Sequence, residues 1–126
     1  DIPENLPKIV VDRIMIEQVL LNLIKNGIEA MHDTPVERRR LNIGARQIDA
    51  RLLQVEVADN GHGLAEEDVE KIFAPFYTTK QEGMGIGLAI CRSIIEFHQG
   101  HLWVEARREG GTVFRFTVPI EESDDE

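Results

Sequence analysis

The longest periodic stretch of the chain runs from Arg13 to Met31, with apolar residues recurring at helical spacing directly behind Asp12. An aspartate in front of such a run satisfies the first free N–H groups of a helix, so the segment predicts one long amphipathic helix that needs a covering surface. Four alternating stretches supply it as predicted strands: Leu41 to Ile48, Leu53 to Ala58, His101 to Ala106 and Thr112 to Val118. A short β-branched run, Ile9 to Val11, predicts one more strand ahead of the helix. Glu66 to Phe73, acidic at its start, suits a short helix, and Leu88 to His98 a longer one with Gly100 placed as its C-cap. Gly110-Gly111 sits in a hairpin-like connection, Arg107 to Gly111. The expected fold class is α/β (α+β), a two-layer sandwich in which one mixed β-sheet carries helices on one face.

With 126 residues, 42% of them hydrophobic, the chain can bury one core, so one domain is expected over residues 1–120, followed by a solvated acidic tail over 121–126. A net charge of −9 argues against a surface that tracks nucleic-acid backbones or anionic lipid. Any phosphate ligand must therefore be captured locally. The single cysteine, Cys91, cannot form an internal disulfide and fits a reducing compartment. No apolar run approaches the ~20 residues of a membrane span, and no signal segment opens the chain, so a cytoplasmic location without direct membrane contact is expected. The chain begins at Asp1 rather than Met, which suggests a piece of something larger.

Three constellations could carry chemistry. Asn22 and Asn26 stand one turn apart on one face of the long helix, flanked by Gln18 and Glu29. Such a stripe is ordinarily a solvent face, yet asparagine is a poor helix former, and amide oxygens can complete the shell of Mg²⁺ beside substrate phosphates. Asp59-Asn60-Gly61-His62-Gly63 closes an apolar strand. Those residue types make tight turns, but the next segment of chain is not a second strand. A carboxylate held there could accept from an amino group such as adenine's, and the glycines would let a flat ring approach the backbone. Gly83-Met84-Gly85-Ile86-Gly87-Leu88 opens a helix. It is neither a dinucleotide fingerprint nor a Walker A loop, and it can serve as a hinge or as a cradle of N–H groups for phosphates.

Taken in order, Glu17 to Ala30 with its two asparagines, then Asp59 to Gly63, then Phe73-Ala74-Pro75-Phe76-Tyr77-Thr78-Thr79-Lys80, then Gly83 to Leu88, the chain resembles the N, G1, F and G2 boxes of sensor histidine kinases. The resemblance runs from about Pro7 to Pro119 and implies the Bergerat fold shared with DNA gyrase, Hsp90 and MutL. It implies ATP and Mg²⁺ as cofactors, with Asn26 on the metal and Asn22 close to metal and phosphates. Asp59 would bind the adenine amino group, with Gly61 and Gly63 near the ring and Thr112 supporting that contact. Gly83, Gly85, Ile86, Gly87 and Leu88 would line the phosphates, Phe73 and Phe76 would anchor a lid over about residues 75–85, and Lys80 would reach the γ-phosphate. Asn22, Asn26 and Lys80 are thus the residues expected to serve catalysis.

Two departures from the usual boxes are Gly27, where alanine is common, and Ala74, where an acidic residue is common. Nothing in the chain resembles the phosphoacceptor helix, and His32, His62, His98 and His101 read as ordinary surface or packing residues. The partners implied are a histidine-bearing dimerisation domain of the same protein and a response regulator, within two-component signal transduction. This chain alone would be monomeric and the longer protein a homodimer. A conformational ATPase of the MutL or Hsp90 kind is the main competitor. In those the helix carries a glutamate one turn before the metal asparagine, and here Asn22 holds that place and cannot act as a base. An anti-sigma-type serine kinase shares the boxes but fits Phe73 to Lys80 less well.

Overall fold

In the computed structural model, residues 12–63, 69, 71–73 and 87–120 are described. Helix α1 spans Arg13–Ala30, followed by strands β1 (Leu41–Gln47) and β2 (Leu52–Asp59), helix α2 (Gly87–Phe97) and strands β3 (Leu102–Ala106) and β4 (Thr112–Pro119). The four strands form one sheet in the order β1-β2-β4-β3, and every pairing among them is antiparallel. The expected two layers are present, with both helices on one face of the sheet. Within the described residues the sheet is antiparallel rather than mixed, and the strand expected over Ile9–Val11 lies outside them. The expected short helix at Glu66–Phe73 is described only at its end, a 3₁₀ turn over Lys71–Phe73. Among the described residues no helix is long and apolar enough to cross a membrane.

Local chemistry sets the element ends. The Asp12 carboxylate accepts from the Met15 N–H at 3.1 Å and so caps α1 as expected. Between β1 and β2 the Asp49 carboxylate accepts from the N–H groups of Arg51 (2.7 Å) and Leu52 (2.9 Å), an Asx turn that fixes the hairpin register. The core lies between the layers, where Val19 and Leu23 of α1 and Cys91 and Ile95 of α2 meet Phe116 and Val118 of β4, all fully buried. Phe73 is buried too, its ring edge-on to Phe114 at 6.3 Å. On the outer face of the sheet, Arg115 pairs with Glu56 at 2.9 Å and with Glu105.

The end of α2 differs from the sequence reading. Gly100 donates its N–H to the Ile95 carbonyl at 2.9 Å and Gln99 to that of Glu96 at 2.9 Å. This is the Schellman pattern with Gln99, not Gly100, in the left-handed position at φ 65. Gly100 is needed for a different reason: a Cβ there would stand 1.8 Å from the Thr117 carbonyl oxygen of β4. Next to it, the buried His98 ring joins the two helices. Its Nδ1 lies 2.7 Å from the Ile94 carbonyl oxygen and its Nε2 accepts the Asp12 N–H at 2.9 Å, which assigns the neutral Nδ1–H tautomer.

Opposite effects are expected from substituting the two neighbours. Gln99→Gly removes left-handed strain and should stabilise the chain by up to about 1 kcal/mol. Gly100→Ala forces helix and sheet apart and should cost about 1–3 kcal/mol, as overpacking does. Urea unfolding of both variants checks the assignment, and equal effects of the same sign would contradict it.

Candidate functional site

Strand alternation puts Asp59 where it is. Leu53, Val55 and Val57 are the preceding positions on the helix-facing side of β2, so Asp59 is the next residue to point under α1. The row it ends runs Leu41–Asp59–Thr112–Ala106 across the sheet. Its side chain is only 2% exposed. It faces Gly27 on α1, where a Cβ would lie in ordinary contact with Asp59 Oδ2 at 3.6 Å but only 2.8 Å from a Leu41 methyl. The residue that departs from the usual motif is therefore the one facing the carboxylate.

The turn after β2 seats itself on the C-terminal end of α1. Gly61 donates its N–H to Asp59 Oδ1 at 2.8 Å, and His62 donates its N–H to the Ala30 carbonyl at 3.1 Å, capping the helix. Gly61 must lack a side chain, since a Cβ would stand 2.3 Å from that same Ala30 oxygen. Asn60 ties the turn to the chain before β1, accepting from the Arg40 N–H at 2.9 Å and donating to the Arg38 carbonyl at 2.7 Å. Gly63 has φ 78 and faces Gly111 of the β3–β4 hairpin, whose carbonyl oxygen would be 3.3 Å from an added Cβ. A flat, open-backed wall results, with one buried carboxylate at its base.

Burial pushes the Asp59 carboxyl above the ordinary value of 3.8; the backbone N–H groups of Gly61 and Thr112 and the nearby His62 and Arg107 oppose that rise.

Asn22 and Asn26 are both half-buried on α1. The two helices run antiparallel: Asp12 meets His98, the Cys91 thiol faces the Val19 carbonyl at 4.0 Å, and Gly87 comes against Asn22, whose Oδ1 is 3.9 Å from where a Cβ of Gly87 would be. The first described residue of α2 thus lies near Asn22, followed by Leu88. Among the described residues no three His, Cys, Asp or Glu side chains gather as a ligand set. A cation beside the amides would take few protein oxygens and complete its shell with phosphate and water, which is how Mg²⁺ binds. Cys91 plays no open chemical part, since burial pushes its thiol up to about 11.

Of the residues expected from sequence, Asn22, Asn26, Asp59, Gly61, Gly63, Gly87, Leu88 and Thr112 are placed along α1, the adjoining end of the sheet and the start of α2. Lys80, Gly83, Gly85, Ile86 and Phe76, with the expected lid, lie outside the described residues. Arg107 is not among the residues the sequence points to. It donates from Nη1 to the Asp59 carbonyl at 2.9 Å, and no spacing in the sequence signals this, because it depends on the order of strands in the sheet.

Over residues 11–122 the chain matches the family described as histidine kinase-, DNA gyrase B-, and HSP90-like ATPase. It is 43% identical over 111 residues to the sensor protein FixL of Bradyrhizobium diazoefficiens, covering 88% of this chain and 22% of FixL. The nucleotide-free catalytic domain of histidine kinase ThkA superposes with a TM-score of 0.76 at 43% identity, covering 87% of this chain and 69% of that one. ThkA in complex with the response regulator protein TrrA gives 0.78 at 37% identity, over 96% of this chain and 33% of that one. Full-length ShkA in complex with AMPPNP gives 0.81 at 28% identity, over 97% and 25%. The chain spans about a fifth of the length of the curated relatives it matches. By its matched family, its sandwich and the arrangement of its boxes, the chain belongs to the histidine kinase-, DNA gyrase B- and HSP90-like ATPases and has the fold of a histidine kinase catalytic domain.

Proposed function

We propose that this chain binds Mg-ATP and directs its γ-phosphoryl group to a histidine on a dimerisation domain of the same protein, from which it passes to a response regulator. The observation that carries the reading is the pairing of the buried Asp59 carboxylate under α1 with the abutment of Gly87 on Asn22. The same end of the helix layer offers an acceptor for an adenine amino group, near Gly27, and amide oxygens with the start of α2 for phosphates. The AMPPNP bound to ShkA and the regulator bound to ThkA support the same ligand class and partner here. A cytoplasmic setting and a homodimeric longer protein belong to this reading.

The residues divide the work. Asp59 accepts from the adenine amino group, backed by the Gly61 and Thr112 N–H groups, and Gly63 leaves the ring room. Asn26, with Asn22 near it, would hold Mg²⁺, which supplies charge neutralisation for the phosphates when bound. Gly83, Gly85, Ile86, Gly87 and Leu88 line the phosphates and Lys80 reaches the terminal one. Phosphoryl transfer of this kind depends on positioning rather than on a general base. Asn22 offers none, so water is not activated.

By calorimetry, Asp59→Asn should weaken Mg-ATP binding by about 1.5–3 kcal/mol, the value of a hydrogen bond to a charged group. Asn26→Ala should weaken it in the presence of Mg²⁺, and wild-type affinity in both variants would remove the site assignment.

Binding should also depend on pH through Asp59. Its carboxyl in the empty chain titrates above 3.8, and the amino donor favours the ionised form. The adenine contribution is thus complete above the empty-chain value and is lost as pH falls through it. Inosine triphosphate carries a carbonyl in place of the amino group and shares the phosphate titration. The ratio of ATP to inosine triphosphate affinity should therefore shrink on acidification, and a ratio that holds constant would show that Asp59 does not titrate at the base.

Given labelled ATP, the chain alone should acquire no acid-labile phosphate, because His98 is committed to Ile94 and Asp12 and the other histidines lie within the same domain. Adding the histidine-bearing dimerisation domain in trans should yield labelled histidine there. Stable labelling of this chain by itself would place the acceptor elsewhere.

A further inference from the structure

Arg107 is the first residue after β3, and β3 does not touch β2, since β4 lies between them. Its guanidinium nevertheless reaches across the first residue of β4 to the Asp59 carbonyl at the end of β2, 2.9 Å away. Its own backbone is fixed by two hairpin bonds: Arg107 donates its N–H to the Gly111 carbonyl at 3.0 Å and accepts from the Gly110 N–H at 3.1 Å. The crossing is possible only because position 111 has no side chain. A Cβ on Gly111 would stand 2.0 Å from the same Asp59 oxygen, and its φ of 97 suits glycine. Behind the guanidinium, Glu109 lies 3.9 Å from Nη2 on the solvent side of the turn.

The Asp59 carbonyl belongs to the peptide that turns the chain into Asn60 and Gly61. Holding that oxygen fixes the plane of the Asp59–Asn60 peptide, from which the next peptide, the one that carries the Gly61 N–H, starts. That N–H is the donor holding Asp59 Oδ1 at 2.8 Å. One side chain on a non-adjacent strand therefore sets both the backbone that bears the carboxylate and the bond that aims it. Arginine suits the task because its rigid fork gives one donor to the carbonyl while its charge, never lost by deprotonation, faces Glu109.

We propose that Arg107 is a positioning residue for base selection: it touches no nucleotide but fixes the Asp59–Gly61 turn so that the carboxylate meets the exocyclic amino group of adenine. The proposal rests on the reading in which Asp59 accepts from adenine, and its test separates the two. Affinities for Mg-ATP and for Mg-inosine triphosphate are measured on the chain carrying Arg107→Met and, separately, Arg107→Lys. The methionine variant should lose about tenfold in its preference for ATP, what one lost hydrogen bond to a charged group gives, while inosine triphosphate binding stays close to wild type. Lysine keeps a charged donor of similar reach and should restore part of the preference, which also keeps the question answerable if methionine lowers thermal stability too far. Equal losses for both nucleotides, or a preference unchanged in both variants, overturn the positioning role. If the wild-type chain shows no preference for ATP, or Asp59→Asn retains it, the reading of Asp59 fails and the role of Arg107 falls with it.

Discussion

A carboxylate that is almost wholly excluded from water beneath a helix is an expensive thing to keep, and the surroundings of Asp59 are arranged to keep it. The group sits at the last inward position of β2, where an apolar residue would continue the core row of Leu53, Val55 and Val57. The turn after the strand bends onto the end of α1, so that the Gly61 N–H meets the carboxylate and the His62 N–H meets the last helix carbonyl. Two obligations common to all folds, satisfying a buried acceptor and capping a helix, are met by adjacent residues of one turn. Three close approaches make this possible, at Gly27, Gly61 and Gly111, where any Cβ would meet Leu41, Ala30 or Asp59 within 3 Å. The glycines of this site serve packing as much as ligand access.

The same arrangement explains why the empty site carries a penalty. The ionised carboxyl is desolvated before any ligand arrives, which is why its titration is raised above 3.8. By linkage, a raised folded value means that its contribution to stability is greatest below 3.8 and is lost as pH rises through the folded value. Once ionised, the carboxyl opposes folding through its burial. The Gly61 and Thr112 N–H groups offset part of this cost in the folded chain.

Much of this is legible in the sequence because it rests on local periodicity and turn chemistry. The long helix behind Asp12, the four strands and the helix after the glycines fall within a few residues of their expected bounds, since each repeats apolar residues at its own spacing. Asp59 can be singled out because Asp-Asn-Gly closes an apolar strand with no partner strand directly after it. The features that sequence does not carry depend on tertiary placement. Whether Gln99 or Gly100 takes the left-handed position is decided by where the sheet lets α2 stop, and Thr117 claims the space at Gly100. Asn60 reads as a turn former, yet both ends of its amide bind the segment before β1. Arg107 reads as part of a hairpin, and its reach to Asp59 exists only because the strand order is β1-β2-β4-β3.

Helix packing, by contrast, decides how Asn22 and Gly87 are brought near each other. Asn22 and Gly87 are far apart in sequence, yet their proximity does not depend on the chain that joins them. The two helices meet at Asp12 with His98 and at Val19 with Cys91, Gly87 lies near Asn22, and they share one core with β4. A pair of antiparallel helices packed through a fully buried Cys91 has little freedom to slide, since shifting one residue would bring a larger side chain into its place. The start of α2 is therefore set against the amides of α1 by helix packing. The connection between β2 and α2 also serves the fold where it is described, through the turn that caps α1 and through Ile72 and Phe73 in the core.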